Sequence, residues 1–143
     1  FYLASPKDQY RFRFIGRKDR IPRRMETKIL ELEEETKNYS RLQVVLGIDY
    51  GGRDEILRAV NQAIREGKEL NEEGLKKLLD TRDIPDPDLI IRTGEEKRLS
   101  GYLPFQSTYA ELIFLDKLFP DFTPQDLRDS IKEFEERKRR FGK

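Results

Sequence analysis

The chain has 143 residues, of which 40% are charged and 36% hydrophobic, and its 29 Lys and Arg against 28 Asp and Glu leave a net charge of +1. This length fits one domain, and the balanced charge excludes a generally basic nucleic-acid coat or an acidic tail. Because the chain has no Cys and no His, it excludes disulfides, thiolate or histidine metal sites, cysteine nucleophiles and histidine acid–base chemistry.

The first elements are a strand and a helix. Charged and apolar residues alternate from Arg11 to Ile15, which predicts a strand with one buried face. Pro22 then opens a helix, and the spacing of Met25, Ile29 and Leu32 predicts that these three side chains face inward.

Three further elements follow in the middle of the chain. The run from Leu42 to Ile48 is short, apolar and rich in β-branched residues, which predicts a strand covered on both faces. A second helix begins after the Gly51-Gly52 pair. We expect its inward face to consist of Ile56, Leu57, Val60 and Ile64. Asn71 is predicted to cap a short third helix that carries Leu75, Leu78 and Leu79.

The last third of the chain predicts two strands and a well-marked helix. The strands are Leu89–Ile91 and Leu112–Leu115. Thr123 caps the helix, with Pro124 in its first turn and Asp126 at capping-box spacing. The inward face of this helix is predicted to comprise Leu127, Ile131, Phe134, Lys138 and Phe141.

Strands that alternate with helices predict an α/β fold with a mainly parallel sheet flanked by helices. Four strands make a thin sheet, and the first residue is Phe1 rather than Met. We therefore expect residues 1–143 to form a single α/β domain that lacks its N-terminal strands. Since no apolar run approaches the ~20 residues of a membrane span and no signal peptide opens the sequence, we also expect a cytoplasmic protein.

The loop after the third strand is the most informative segment for function. Arg92 ends that strand, and Arg98 and Ser100 follow within nine residues. Ligands of open α/β sheets bind just past the carboxyl ends of strands, and guanidinium groups bind phosphate oxygens bidentately. These three residues therefore predict a phosphate or diphosphate site.

Other interpretations stay open on spacing alone. Both arginines can pair instead with Glu95, Glu96 or helix carboxylates on a solvated surface. The Gly51-Gly52 pair can present backbone N–H groups to an anion, although a tight turn is the simpler explanation. The sequence contains no GxxxxGK[ST] or GxGxxG phosphate loop and no DDxxD spacing.

A basic N-terminal segment raises the question of nucleic-acid binding. Residues 1–24 hold eight Lys or Arg against two Asp, a net charge of +6, and Tyr10, Phe12 and Phe14 interleave with arginines. The alternation, however, places the phenylalanines opposite the arginines, as in an ordinary half-buried strand. We therefore expect no nucleic-acid partner.

Four segments, in order along the chain, carry a resemblance to a known family. They are FRFIG (12–16), YGGR (50–53), IIRTGEEKRLSGYLPFQSTYAELIFLDKLFPDF (90–122) and RRFG (139–142). Each is weak alone, but together they keep their order and spacing over nearly the whole chain. The chain resembles the cis-prenyltransferases, the undecaprenyl and polyprenyl diphosphate synthases. Glu95 and Gly101 depart from the glycine and asparagine of the family pattern, and Pro104-Phe105 departs from its Leu-Trp pair.

The resemblance implies a role for individual residues. It implies that the diphosphate of isopentenyl diphosphate is bound by Arg92, Arg98 and Ser100. Glu111 is implied to belong to the Mg²⁺ site. Arg140 and Gly142 are implied to reach the same diphosphate from the neighbouring subunit of a homodimer.

The implied activity is the Mg²⁺-dependent condensation of isopentenyl diphosphate with an allylic prenyl diphosphate to give a long-chain polyprenyl diphosphate. Peripheral membrane association is a further expectation. Nothing here matches the family's MDGNRRW-type loop, whose aspartate is central to catalysis. We therefore expect a C-terminal portion with no catalytic residue of its own, inactive alone. A non-catalytic accessory subunit is the alternative, although the retained RTG and RxS run favours an enzyme.

Overall fold

The structure is a computed structural model that describes residues 9–137. The chain divides between Asp83 and Ile84 into two units, each of which contains one parallel strand pair. The elements of the first unit are β1 (Tyr10–Ile15), α1 (Arg23–Thr36), β2 (Leu42–Gly47), α2 (Gly52–Arg65) and α3 (Glu72–Lys76). The elements of the second unit are β3 (Leu89–Thr93), β4 (Glu111–Leu115) and α4 (Pro124–Glu136).

The predicted α/β class is confirmed, because parallel strands occur with helices in both units: α1 lies between β1 and β2 along the chain, and α4 follows β4. β1 pairs with β2 from Tyr10 opposite Leu42 onward, and β3 pairs with β4 from Leu89 opposite Glu111 onward. Among the described residues these are two separate two-stranded sheets. The single domain over residues 1–143 and the missing N-terminal strands stay predictions.

The outer edge of β1 is covered by side chains instead of a third strand. Its successive outward N–H groups donate to side-chain oxygens: Phe12 to Thr36 Oγ1 at 3.0 Å, Phe14 to Glu33 Oε1 at 2.8 Å and Gly16 to Asp80 Oδ2 at 3.0 Å. An exposed row of unpaired N–H groups would be a template for pairing with another strand. Here α1 and the segment after α3 satisfy that row and hold β1 in place.

The helix ends follow the predicted capping chemistry. Asn71 Oδ1 accepts a hydrogen bond from Gly74 N at 2.7 Å at the start of α3. At the start of α4, Thr123 and Asp126 form a capping box in which each side chain accepts from the other's backbone N–H. Within residues 9–137, none of the helices combines the length and the apolar character that crossing a bilayer requires.

The predicted inward face of α2 was wrong at Leu57 and Ile64, whereas Ile56 and Val60 are half-buried. Leu57 and Ile64 are 62% and 70% exposed, whereas Glu55, Ala59 and Ala63 are buried. Residues four apart lie on one stripe of a helix, and two alanines on that stripe allow a close approach to neighbouring chain. The prediction followed the largest apolar side chains, but the buried stripe of α2 consists of one glutamate and two alanines.

Smaller corrections concern other elements. Met25 is exposed on α1, while Ile29 is buried as predicted. In α4 the buried residue is Ser130, whose hydroxyl donates to Asp126 O at 2.8 Å, whereas Leu127 and Ile131 are exposed. β2 is exposed at both ends and half-buried between them, so it is not covered on both faces as predicted. Lys138 and Phe141 lie outside the described residues.

Candidate functional site

The carboxyl end of β3 is the starting point of the candidate site. Arg92 is half-buried in β3 opposite Phe114 of β4. The chain then leaves the sheet at Gly94, which has a φ of 97°, a conformation that glycine adopts without steric cost. Gly94 N donates to Lys117 O at 2.7 Å, so the exit from β3 is fixed to the segment that follows β4.

The loop beyond Gly94 turns through an unusual backbone. Ser100, Gly101 and Leu103 all have positive φ, at 51°, 79° and 46°. Positive φ is uncommon for residues other than glycine, and such residues cluster at ligand-binding sites. Tyr102 N donates to Leu99 O at 2.9 Å, which closes a turn around Ser100.

This turn brings Ser100 back to Arg92. Arg92 Nη1 donates to Ser100 Oγ at 3.0 Å and also to the carbonyl oxygen of Arg98. A guanidinium has five N–H donors in a planar fork. Among the described residues, Nε and Nη2 of Arg92 donate to no other group. The structure therefore joins two of the three residues predicted to bind a diphosphate and leaves one side of the Arg92 fork available.

Arg98 contributes its backbone to this arrangement, while its side chain has another partner. Its guanidinium forms an ion pair with Glu96, and its side chain is 63% exposed. The alternative interpretation, pairing with nearby glutamates, thus describes Arg98 but not Arg92. An exposed ion pair of this kind contributes little to stability, so a doubly charged ligand can replace Glu96 at small cost.

Glu111 lies elsewhere in the second unit. It begins β4 and pairs with Leu89 of β3. Leu89 precedes Arg92 by three residues, which corresponds to about 10 Å along the strand. Glu111 Oε2 accepts from Arg137 Nη1 at 2.9 Å, and Arg137 also donates to Glu133. Both hydrogen bonds raise the pKa of Arg137.

The described residues do not form a Mg²⁺ site on their own. No group of three or more acidic, His or Cys side chains that could hold a metal occurs within residues 9–137. Mg²⁺ needs oxygen ligands, and a guanidinium already occupies the Glu111 carboxylate. The metal role of Glu111 therefore stays a prediction. Arg140 and Gly142 lie outside the described residues, and their roles also stay predictions.

Sequence reasoning missed a charged network at the carboxyl ends of β1 and β2. Arg58 binds Asp80 bidentately, at 2.9 and 2.7 Å, and donates to Asp54 at 2.8 Å, which also accepts from Arg17 at 3.1 Å. The hydrogen bond from Arg58 is the main cause that lowers the pKa of Asp54. The i,i+4 spacing of Asp54 and Arg58 could have indicated their pairing. No local signal indicates Asp80 as a partner, because it lies 22 residues after Arg58 in the sequence.

Comparison with known proteins identifies the sequence family. Residues 3–142 match the family described as "Putative undecaprenyl diphosphate synthase". An isoprenyl transferase of Aquifex pyrophilus is 44% identical over 99% of this chain and 64% of its own length. A relative from Pyrobaculum aerophilum, named tritrans,polycis-undecaprenyl-diphosphate synthase (geranylgeranyl-diphosphate specific), is 44% identical over 95% of this chain and 59% of its own length.

Solved structures of similar proteins share the fold. The crystal structure of a "probable undecaprenyl diphosphate synthase" from Campylobacter jejuni matches with a TM-score of 0.86 and 44% identity, over 96% of this chain and 65% of that one. Lavandulyl diphosphate synthase from Lavandula x intermedia, in complex with dimethylallyl diphosphate, matches with a TM-score of 0.90 and 31% identity, over 99% and 64%. The chain thus spans about 60% of the length of the curated relatives it matches.

Proposed function

This chain belongs to the undecaprenyl diphosphate synthase family of cis-prenyltransferases, and on that premise we propose that the protein is an isoprenyl transferase. It condenses isopentenyl diphosphate with an allylic prenyl diphosphate to give a long-chain polyprenyl diphosphate. The observation that carries the proposal is the contact of Arg92 Nη1 with Ser100 Oγ at the carboxyl end of β3. That contact supports a binding site for the diphosphate of isopentenyl diphosphate.

The proposed reaction breaks one bond and forms another. The C–O bond of the allylic substrate breaks and releases inorganic diphosphate, the double bond of isopentenyl diphosphate attacks the allylic carbon, and a proton is then lost to give the cis product. In this scheme the described residues position the isopentenyl substrate. Good orientation of the two substrates lowers the activation barrier, because the entropy lost in bringing them together is lost on binding and not in the chemical step.

Each side chain has a distinct part in that positioning. The free side of the Arg92 fork donates two N–H groups to one phosphate, and the Ser100 hydroxyl donates to a neighbouring oxygen. Arg98 joins them when the ligand replaces Glu96 as the partner of its guanidinium. Retention of both arginines and the serine also favours an enzyme over an accessory subunit, which has no need of a substrate site.

The remaining expectations belong to the same proposal. The chain is the C-terminal portion of the enzyme, and the catalytic aspartate lies in sequence outside it. The enzyme is a homodimer, in which Arg140 and Gly142 contact the diphosphate bound by the neighbouring subunit. It associates peripherally with the membrane that receives its long-chain product.

The test is steady-state kinetics of the intact protein, measured over a range of isopentenyl diphosphate concentrations. We expect Arg92→Lys and Ser100→Ala to raise KM for this substrate about tenfold or more, since a charge-assisted hydrogen bond contributes about 1.5–3 kcal/mol. KM for the allylic substrate should change far less. Arg24→Lys, on the exposed side of α1, is the matched control. Unchanged kinetics in Arg92→Ala and Arg98→Ala would remove the assignment.

A further inference from the structure

A cavity of about 640 Å³ lies beside β1 in the first unit, and three arginines line it. Arg11 and Arg13 are two residues apart on β1, so their side chains leave the same face of the strand. Arg82, from the segment that follows α3, is the third. No residue described by the structure forms an ion pair with any of these three arginines.

Arg13 is held at the centre of the group by neutral partners. Its Nη1 donates to Arg82 O at 3.1 Å and its Nη2 to Asp80 O at 3.4 Å. Carbonyl oxygens orient a guanidinium but do not neutralise its charge. Partial burial, followed by the charges of Arg11 and Arg82, lowers the pKa of Arg13, and the opposing effects of Asp83 and Glu33 are smaller. Nearby carboxylates therefore compensate only part of the positive charge around Arg13.

Acidic residues also line the cavity, but most are bound to other cations. Asp80 is held bidentately by Arg58, Glu33 by Lys18 at 2.6 Å and Asp19 by Arg17 at 2.7 Å. Glu26 and Asp83 are the lining carboxylates for which the described part of the chain provides no ion pair. The lining thus contains three guanidiniums and two carboxylates that form no ion pair with the described residues.

We propose that this cavity is an oxyanion site that binds a diphosphate group through Arg11, Arg13 and Arg82. The volume lies within the range of small-ligand pockets, and planar guanidinium forks match the oxygens of a diphosphate. The ligand is free inorganic diphosphate, which the proposed reaction releases, or the same group in an ester. None of these residues belongs to the site proposed for isopentenyl diphosphate, so the inference goes beyond that function.

Isothermal titration calorimetry of the intact protein with inorganic diphosphate tests the site. The double variant Arg11→Gln/Arg82→Gln leaves Arg13 and its two backbone partners in place. We expect its Kd to rise about tenfold or more for each guanidinium removed. The control Arg23→Gln/Arg65→Gln removes two exposed arginines of α1 and α2 and the same net charge. Equal affinity in the double variant and this control would overturn the proposal.

Two further measurements do not depend on whether the double variant folds or on whether the proposed function is correct. In the wild-type protein, the backbone amide signals of Gly16 and Arg82 should shift in NMR spectra on titration with inorganic diphosphate, and unshifted signals would count against the site. The variant Arg92→Gln should retain these shifts whether or not it binds isopentenyl diphosphate. In Arg92→Gln, the Gly16 and Arg82 signals on titration with isopentenyl diphosphate distinguish the ligand source: the same affinity as for inorganic diphosphate supports the free group, and tighter binding supports the ester.

Discussion

Phe12 N donates to Thr36 Oγ1 at 3.0 Å, and the same hydroxyl donates to Leu32 O at 2.7 Å, so one side chain connects β1 to α1. Phe12 and Thr36 are both almost completely buried. A buried N–H group without an acceptor costs about as much as a lost hydrogen bond. The hydroxyl of Thr36 is therefore a structural requirement of this edge of the sheet.

We expect Thr36→Val to destabilise the first unit by about 1–3 kcal/mol, because the Phe12 N–H loses its acceptor while the shape of the side chain is preserved. The measurements are the free energy of unfolding in urea and the hydrogen-exchange rate of the Phe12 amide. Thr27→Val on the exposed side of α1 is the control, because within residues 9–137 the Thr27 hydroxyl bonds only to Arg23 O of its own helix. Equal losses in both variants would contradict this account.

Gly16 lies where the structure has no room for a side chain. Its φ is 108°, and an added Cβ would overlap the carbonyl oxygen of Ile48. We expect Gly16→Ala to cost about 3 kcal/mol or more, from backbone strain and overlap together. Gly67→Ala, with φ of 64° and no atom within 4 Å of an added Cβ, should cost only about 1–2 kcal/mol. Comparison of the two unfolding free energies checks the difference, and a Gly16→Ala variant as stable as Gly67→Ala would refute it.

Asp80 should make the stability of the first unit depend on pH. Partial burial opposes its ionisation, but hydrogen bonds from Arg58 and from Gly16 N, together with the positive charges of Arg58 and Arg82, outweigh that effect and lower its pKa below its usual value. A carboxyl whose pKa is lowered by folding stabilises the fold above its unfolded pKa, and this stabilisation is lost as the pH falls through the folded value. We therefore expect the contribution of Asp80 to be complete at neutral pH and to decline below about pH 4.

The measurement is the free energy of unfolding of wild type and Asp80→Asn between pH 2 and pH 7. The two curves should converge at the acidic end, because the wild-type carboxyl is then protonated as well. Asp116→Asn, at an exposed position of the second unit, should stay parallel to wild type across the range. Parallel curves for Asp80→Asn would show that this carboxylate has no such role.

Arg137 connects the end of α4 to the start of β4. It donates to Glu111 at 2.9 Å and to Leu112 O at 3.0 Å, with about a third of its side chain exposed. We expect Arg137→Met, which keeps the aliphatic stem, to lower the unfolding free energy of the second unit by about 1–2 kcal/mol. Arg128→Met, which removes an exposed arginine bonded to Gln125 within α4, should cost much less. Thermal unfolding of both variants measures the difference, and equal midpoints would contradict it.

The sequence predicts best what local chemistry decides. Thr123 and Asp126 form their capping box within a single helical turn, and a short apolar run such as Leu89–Ile91 is a strand in almost any α/β setting. Residue types predict that the loop after β3 is an anion site, and this stays a prediction; the structure shows that Arg92 and Ser100 of this loop are in contact.

Packing and long-range charge pairing were harder to predict. The inward stripe of α2 depends on how closely neighbouring chain approaches Ala59 and Ala63, and hydrophobicity alone favoured Leu57. The partnership of Arg58 with Asp80 spans 22 residues, so no local spacing encodes it. The choice of Glu96 as the partner of Arg98 was one of several pairs that the sequence allowed.

If the loop after β3 binds an anion as proposed, its contacts also imply an order of events. Arg92 rests on uncharged oxygens, the Ser100 hydroxyl and the Arg98 carbonyl, so an anion meets no repulsion from a carboxylate bonded to that guanidinium. Arg98 must first release Glu96. On the proposed function, we therefore expect binding to begin at Arg92 and to be completed at Arg98, and the association kinetics to contain a fast phase that depends on ligand concentration and a slower one that does not.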